Sequence, residues 1–270
     1  MTSLAIGKYV VLRRFVQLGA LVLLFGGRAF GWTILRGDLS HSQLLGVVPL
    51  SDPFATAQLL AAGGSLGADV LIGAVVVLAV YALLGGRTFC AWVCPLNLVT
   101  DLANRLRGDE DPQTPSGRSI RFWALGLSLV LSALTGVAAF EAVSPIGMLH
   151  RGLIFGMGAG WFFVAAVFLF DWAVRRNGFC GHLCPLGAFH SLVGRFGLLR
   201  VRHVHMNCTD CGLCVRVCPE HQVLELVGKA SGSVLDSQCT NCGRCIDVCD
   251  DQALRFDFRR NALSIRTGGS

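Results

Sequence analysis

The sequence predicts an α-helical membrane protein in which four transmembrane helices form two duplicated helix pairs, followed by a small cysteine-rich domain of mixed α+β structure. Three observations predict it. Four apolar runs, at about residues 15–35, 66–84, 122–140 and 153–174, approach the ~20 residues that a spanning helix needs. A C-x3-C-P motif closes each pair of runs. Eight of the twelve cysteines fall beyond residue 200. Composition agrees: the chain is 53% hydrophobic and 15% charged, against about 25% charged in soluble domains, and its mean hydropathy is +0.59. These features divide it into a membrane domain, residues 1–200, and a polar appendage, residues 201–270.

The first run follows Lys8, Arg13 and Arg14 and is interrupted by Arg28. Arg87, Arg105, Arg107, Arg118 and Arg121 lie between the second and third runs, and Arg175 and Arg176 follow the fourth. The other two loops carry only Arg36 and Arg151. Positive charge stays on the cytoplasmic side during insertion, so both termini are expected in the cytoplasm and the protein in a bacterial inner membrane. This distribution accounts for the net charge of +6 without a nucleic-acid partner. Arg13-Arg14-Phe15 also fits a twin-arginine export signal, but no clear A-x-A site follows, and an uncleaved helix is expected. Residues 108–117, polar with Pro112 and Pro115, read as a solvent loop joining the halves.

The halves repeat. Gly86-Arg87-Thr88-Phe89-Cys90-Ala-Trp-Val-Cys94-Pro95-Leu96 closes the first, and Asn177-Gly178-Phe179-Cys180-Gly-His-Leu-Cys184-Pro185-Leu186 closes the second. Residues i and i+4 share a helix face, so each cysteine pair can point together, and a following proline argues for a helix end or bend at Cys94 and Cys184. Cys90, Cys94, Cys180 and Cys184 are therefore candidates for a redox relay, either as a further metal centre or as redox-active thiols. The plainer alternative is that they are small buried residues.

The appendage carries one pattern twice: Cys208-x2-Cys211-x2-Cys214-x3-Cys218-Pro219 and Cys239-x2-Cys242-x2-Cys245-x3-Cys249. This is the bacterial-type spacing for two [4Fe–4S] clusters, in which the fourth cysteine of each run reaches the other cluster. Cys208, Cys211, Cys214 and Cys249 are assigned to one cluster, and Cys239, Cys242, Cys245 and Cys218 to the other. Zinc sites use paired C-x2-C units rather than triplets. Thiolate ligands need a reducing compartment, which again places this ferredoxin domain in the cytoplasm. Asp250 stands where the first copy has Pro219.

Polar residues near the outer ends of the spans are candidates for contact with a quinone. Arg28 can snorkel to the interface or meet a quinone carbonyl. His150, like Asp52, Asp69 and Glu141, is placed to accept a quinol proton, although solvated loop groups are the commoner case. His182 lies between Cys180 and Cys184, where a metal and a backbone carbonyl are both possible partners.

With these motifs in place, the chain resembles the NapH family of membrane quinol dehydrogenase subunits of periplasmic nitrate reductase systems. The resemblance covers the four helices, the paired C-x3-C-P motifs and the ferredoxin motifs. It is closest over Pro49-Leu-Ser-Asp-Pro53 and residues 81–99. Similar modules occur in MauN, the NosR membrane domain and FixG-like proteins. The resemblance implies that quinol from the membrane pool is the substrate, with electrons passing to a NapG-like periplasmic ferredoxin-type protein and c-type cytochromes. FixG-like relatives imply an alternative, a copper-reducing maturation factor for oxidase assembly. A third reading is a non-catalytic anchor that docks a soluble partner.

Overall fold

The computed structural model describes residues 7–32, 34–107, 118–155, 158 and 160–259. Helix α1 (Lys8–Ala29) leads to an antiparallel meander of β1 (Leu35–Gly37), β2 (His41–Leu44) and β3 (Val48–Ser51). Leu35 pairs with Leu44, and His41 with Ser51. Next come α2 (Pro53–Ala61), α3 (Ala68–Leu84), α4 (Thr88–Trp92) and α5 (Leu96–Arg107). The second half contains α6 (Arg118–Thr135), α7 (Ala139–Val143), α8 (Pro145–Phe155) and α9 (Gly160–Leu169). It continues through two π-helical turns, Phe170–Val174 and Phe179–Leu183, into α10 (Pro185–Val193). The last described elements are β4 (Leu199–His203), α11 (Leu213–Val217), β5 (Gly232–Ser233), α12 (Arg244–Asp247) and β6 (Leu254–Phe258).

These elements fall into two compact units. Of the described residues, one contains those within 17–79 and 94–189, and the other those within 1–16, 80–93 and 190–270. The cysteine-rich unit thus draws on segments 1–16, 80–93 and 190–200 as well as on the appendage beyond residue 200.

In the helical unit, α2 packs on α6, and α8 on α9. Asp52 caps α2 by accepting the Phe54 N–H at 2.9 Å, and Pro53 occupies the first helical position, where its missing N–H costs nothing. Phe54 is buried between Phe140 and Phe189, with ring centroids 5.8 and 5.5 Å away.

Three expected spans end elsewhere. The first run does not continue to Leu35: α1 stops at Ala29, and Leu35 opens β1. The Arg36 guanidinium bonds back to the carbonyls of Trp32 and Gly31 at 3.3 and 3.1 Å, turning the chain out of the helix. The third run breaks after Thr135. There the Ser132 hydroxyl accepts the Ala139 N–H (3.0 Å), and the Gln58 carboxamide accepts the Phe140 N–H (2.8 Å), which together start α7. The fourth run is shared between α8, which ends at Phe155, and the stretch Gly160–Val174. Among the described residues one helix, Lys8–Gly27, is long and apolar enough to cross a membrane. Ala68–Leu84, Ser119–Thr135 and Gly160–Val174 are apolar but shorter. The expected loop at 108–117 lies outside the described residues.

The cysteine-rich unit is built on a three-stranded sheet in the order β5-β4-β6. β6 runs antiparallel to β4, with Val201 opposite Phe256. Val201, Val223, Leu224, Val234 and Leu254 form its core together with Cys214, Cys239 and Cys245. Two distant segments are tied into this unit. Tyr9 and Val10 at the start of α1 donate their backbone N–H groups to the Asp247 carboxylate at 3.1–3.2 Å, an anion placed at a helix N-terminus. The segment 80–93 is held partly by the Leu198 N–H bond to the Leu83 carbonyl at 2.9 Å.

Candidate metal centres

The eight distal cysteines line two cavities. Cys208, Cys211, Cys214 and Cys249 share one, with Asp210, Val227 and Leu254 around them. Cys218, Cys239, Cys242 and Cys245 share the other, with Val201, Glu220 and Leu224. The two copies fold alike. In each, the residue before the second cysteine is left-handed (Asp210 φ 54°, Asn241 φ 49°), and so is the glycine after it (Gly212 φ 71°, Gly243 φ 75°). A short helix bearing the third cysteine then begins, α11 or α12. Left-handed residues within a turn fold successive backbone N–H groups into a concavity suited to an anionic, sulfur-rich group. Four thiols around one cavity and a nest of this kind in each loop fit a [4Fe–4S] cubane.

The cavities differ in exposure. Cys239, Cys242 and Cys245 are buried, whereas Cys211 is exposed and Cys208 and Cys249 are partly so. Burial pushes the Cys239 thiol up to about 12. Burial, then the neighbouring Cys242, also raises Cys218 and Cys245 well above the usual thiol range. Filling the buried cavity with metal therefore releases protons.

The C-x3-C-P motifs sit at helix breaks. Cys90 lies within α4, and Cys94 is buried just ahead of Pro95. Cys180 lies in the second π-helical turn, and Cys184, buried, is extended at φ −69°, ψ 112° ahead of Pro185, as a residue before proline prefers. Cys90 belongs to the cysteine-rich unit, and the other three to the helical unit. Among the described residues, no three His, Cys, Asp or Glu side chains are grouped as a single metal ion requires.

A feature absent from the sequence reading is a buried arginine on each motif. Arg13 of α1 donates Nε–H to the Ala91 carbonyl at 3.0 Å. Arg121 of α6 donates through Nη1 to the Gly181 carbonyl at 3.1 Å. Ala91 and Gly181 each directly follow the first cysteine of their motif, so the duplication includes the helix that precedes each pair. Asp171 accepts the Phe179 N–H at 3.0 Å, fixing the turn that carries Cys180. Of the expected quinone contacts, His150 is buried in α8, and the Arg28 side chain lies outside the described part. His190 is buried beside Tyr81 and stacks on Phe89 at 5.0 Å. Burial, then the Arg87 charge, lowers it to about 3, so it is neutral at pH 7.

Residues 66–110 and 153–206 both match the family described as 4Fe-4S binding domain, so one pattern fits each half of the duplication. Residues 200–250 match the 4Fe-4S dicluster domain. The chain is 43% identical to the methylamine utilization ferredoxin-type protein MauN of Methylorubrum extorquens, over 84% of this chain and 80% of that protein. It is 42% identical to the ferredoxin-type protein NapH of Escherichia coli, over 86% and 79%. It is 26% identical to the putative electron transport protein YccM of the same organism, over 70% and 53%. No solved structure matches it.

Proposed function

This chain belongs to the family of ferredoxin-type proteins that includes NapH and MauN, and from that premise we propose that it is the membrane electron-transfer subunit of a quinol-oxidising complex. Its substrate is quinol from the membrane pool. Its electrons go toward a NapG-like periplasmic ferredoxin-type partner and c-type cytochromes. The observation that carries this reading is the pair of four-cysteine cavities, each built for a cubane. Cys208, Cys211, Cys214 and Cys249 hold one cluster, and Cys218, Cys239, Cys242 and Cys245 hold the other. A bound cubane supplies one-electron exchange. The chain supplies ligands, orientation and burial.

Placement in the membrane is supported by the helix Lys8–Gly27 and by outward apolar side chains on the other helices. Val75, Trp123, Leu127, Leu134 and Phe162 are each more than half exposed, an extent of apolar surface that water does not favour. Four spans with both termini in the cytoplasm complete the reading. Cys90, Cys94, Cys180 and Cys184 are the candidates for the relay by which electrons cross the bilayer toward that periplasmic partner. Arg28 and His150 remain the quinone candidates.

The test is the full-length protein, purified without oxygen and returned to liposomes with a reduced quinone and a one-electron acceptor. Quinol oxidation that is lost in both Cys211→Ser and Cys242→Ser is expected. Copper reduction without quinol oxidation would instead identify the maturation factor, and undiminished electron flow in both variants would identify an anchor.

A further inference from the structure

Residues 84–92 carry Cys90, and a set of their fastenings leads to one of the two cysteine cavities. The Arg87 N–H donates to the Cys239 carbonyl at 3.0 Å. The Asn241 carboxamide donates through Nδ2 toward the carbonyls of Leu84 (3.2 Å), Gly85 (3.3 Å) and Leu199 (3.1 Å). In return, the Asn241 carbonyl accepts the Trp92 indole N–H at 3.0 Å. Arg87 Nη1 pairs with Glu220 Oε1 at 2.6 Å, with both side chains buried. Glu220 stands two residues after Cys218 and lines the same cavity. Gly86, left-handed at φ 61°, lies so close to the Cys239 carbonyl oxygen that a Cβ would overlap it.

The other copy of the motif lacks the means to hold such a segment. It reads Cys-Thr-Asp-Cys-Gly where this one reads Cys-Thr-Asn-Cys-Gly. A carboxylate at position 210 has no N–H to offer a carbonyl. Asp210 and Cys211 are exposed, and Thr209 turns to the Asp251 carboxylate at 2.6 Å. An amide at 241 against an acid at 210 thus separates the strapped cavity from the other.

We infer that residues 84–92 form a strap that fixes the Cys90 turn onto the loop of Cys239 and Cys242, and that the two cluster sites are ordered. The cavity of Cys218, Cys239, Cys242 and Cys245 is the inner station, joined to the turn that carries Cys90. The cavity of Cys208, Cys211, Cys214 and Cys249 is the outer station, where a soluble one-electron carrier makes contact. Asn241 and Arg87 are positioning residues for the junction. This rests on the proposal that the cavities hold cubanes, and the order holds for either direction of flow.

The test is hydrogen exchange by mass spectrometry on anaerobically purified full-length protein, reading peptides across residues 84–92, with iron counted on the same samples. Cys242→Ser is expected to speed exchange in that stretch by about tenfold or more, the loss expected for its backbone bonds. Cys211→Ser leaves it unchanged. Asn241→Asp removes the amide donor while keeping every ligand, so it keeps its iron and still speeds exchange. Trp92→Phe, which deletes a single bond of the strap, speeds exchange at its far end. The mirror change Asp210→Asn has no effect there. Asn241→Asp also shifts the reduction midpoint of the transition that Cys242→Ser abolishes, and not that of the other. Equal responses to Cys211→Ser and Cys242→Ser, or no response to either, in protein loaded with iron would overturn the order of stations. Wild-type protein without iron would overturn the underlying reading instead.

Discussion

Replacing Arg87 with methionine perturbs a deeply buried ion pair in the cysteine-rich unit. Its guanidinium meets the Glu220 carboxylate at 2.6 Å, with side-chain exposures of only 2% and 8%. The second Glu220 oxygen accepts from the Gln222 carboxamide at 2.6 Å, so the carboxylate is held in place when the arginine is lost. A buried charge deprived of its partner costs about 3–5 kcal/mol, whereas an apolar pair of similar volume is near neutral or better. Arg87→Met and Glu220→Leu are therefore each expected to destabilise by about 3–5 kcal/mol, and the double variant by far less than their sum. The assay is chemical denaturation of the wild type, both single variants and the double variant in one detergent, followed by circular dichroism and cluster absorbance. A single-variant loss below about 1 kcal/mol, the value of an exposed pair, would refute the claim that water is excluded from this contact.

Three further outcomes are expected. Gly86→Ala places a Cβ against the Cys239 carbonyl at a left-handed position, so it costs about 2 kcal/mol or more in denaturation; Gly67→Ala, with open space around it, is the neutral control. Arg13→Gln and Arg121→Gln each withdraw a guanidinium from the carbonyl after a motif cysteine, at about 1–3 kcal/mol, read as a lowered thermal midpoint; no change in either would show that the arginines do not hold these turns. Burial lifts the Asp52 carboxyl from 3.8 to about 7, against the opposing Phe54 N–H bond and with help from Glu141. A raised pKa stabilises the fold fully below the unfolded value and loses that contribution as pH rises toward 7. Wild-type stability should accordingly decline across about pH 4–7 relative to Asp52→Asn, and parallel pH profiles would contradict this.

The cysteine groupings were legible in the sequence because short, repeated spacings constrain which thiols can surround one cavity. The duplication was legible for the same reason, in Cys90-x3-Cys94-Pro95 and Cys180-x3-Cys184-Pro185. Hydrophobic runs marked where helices form but not where they stop. The ends depend on side chains from elsewhere, such as Arg36 bonding back to Gly31 and Trp32, or Gln58 accepting from Phe140. The strap was not legible either. Asn241 and Leu84 are separated by 157 positions, and local pattern carries no information about such a pairing. The one visible signal was the asymmetry between Asp210 and Asn241 in otherwise matching loops, which acquires meaning only when the carbonyls beside Asn241 are known.

The most direct test is an iron and acid-labile sulfide count, with electron paramagnetic resonance, on anaerobically purified full-length protein. Two cubanes require about eight irons per chain, and Cys211→Ser and Cys242→Ser should each lose about half of that while abolishing a different signal. Iron-free native protein, or an iron content indifferent to both substitutions, would contradict the account.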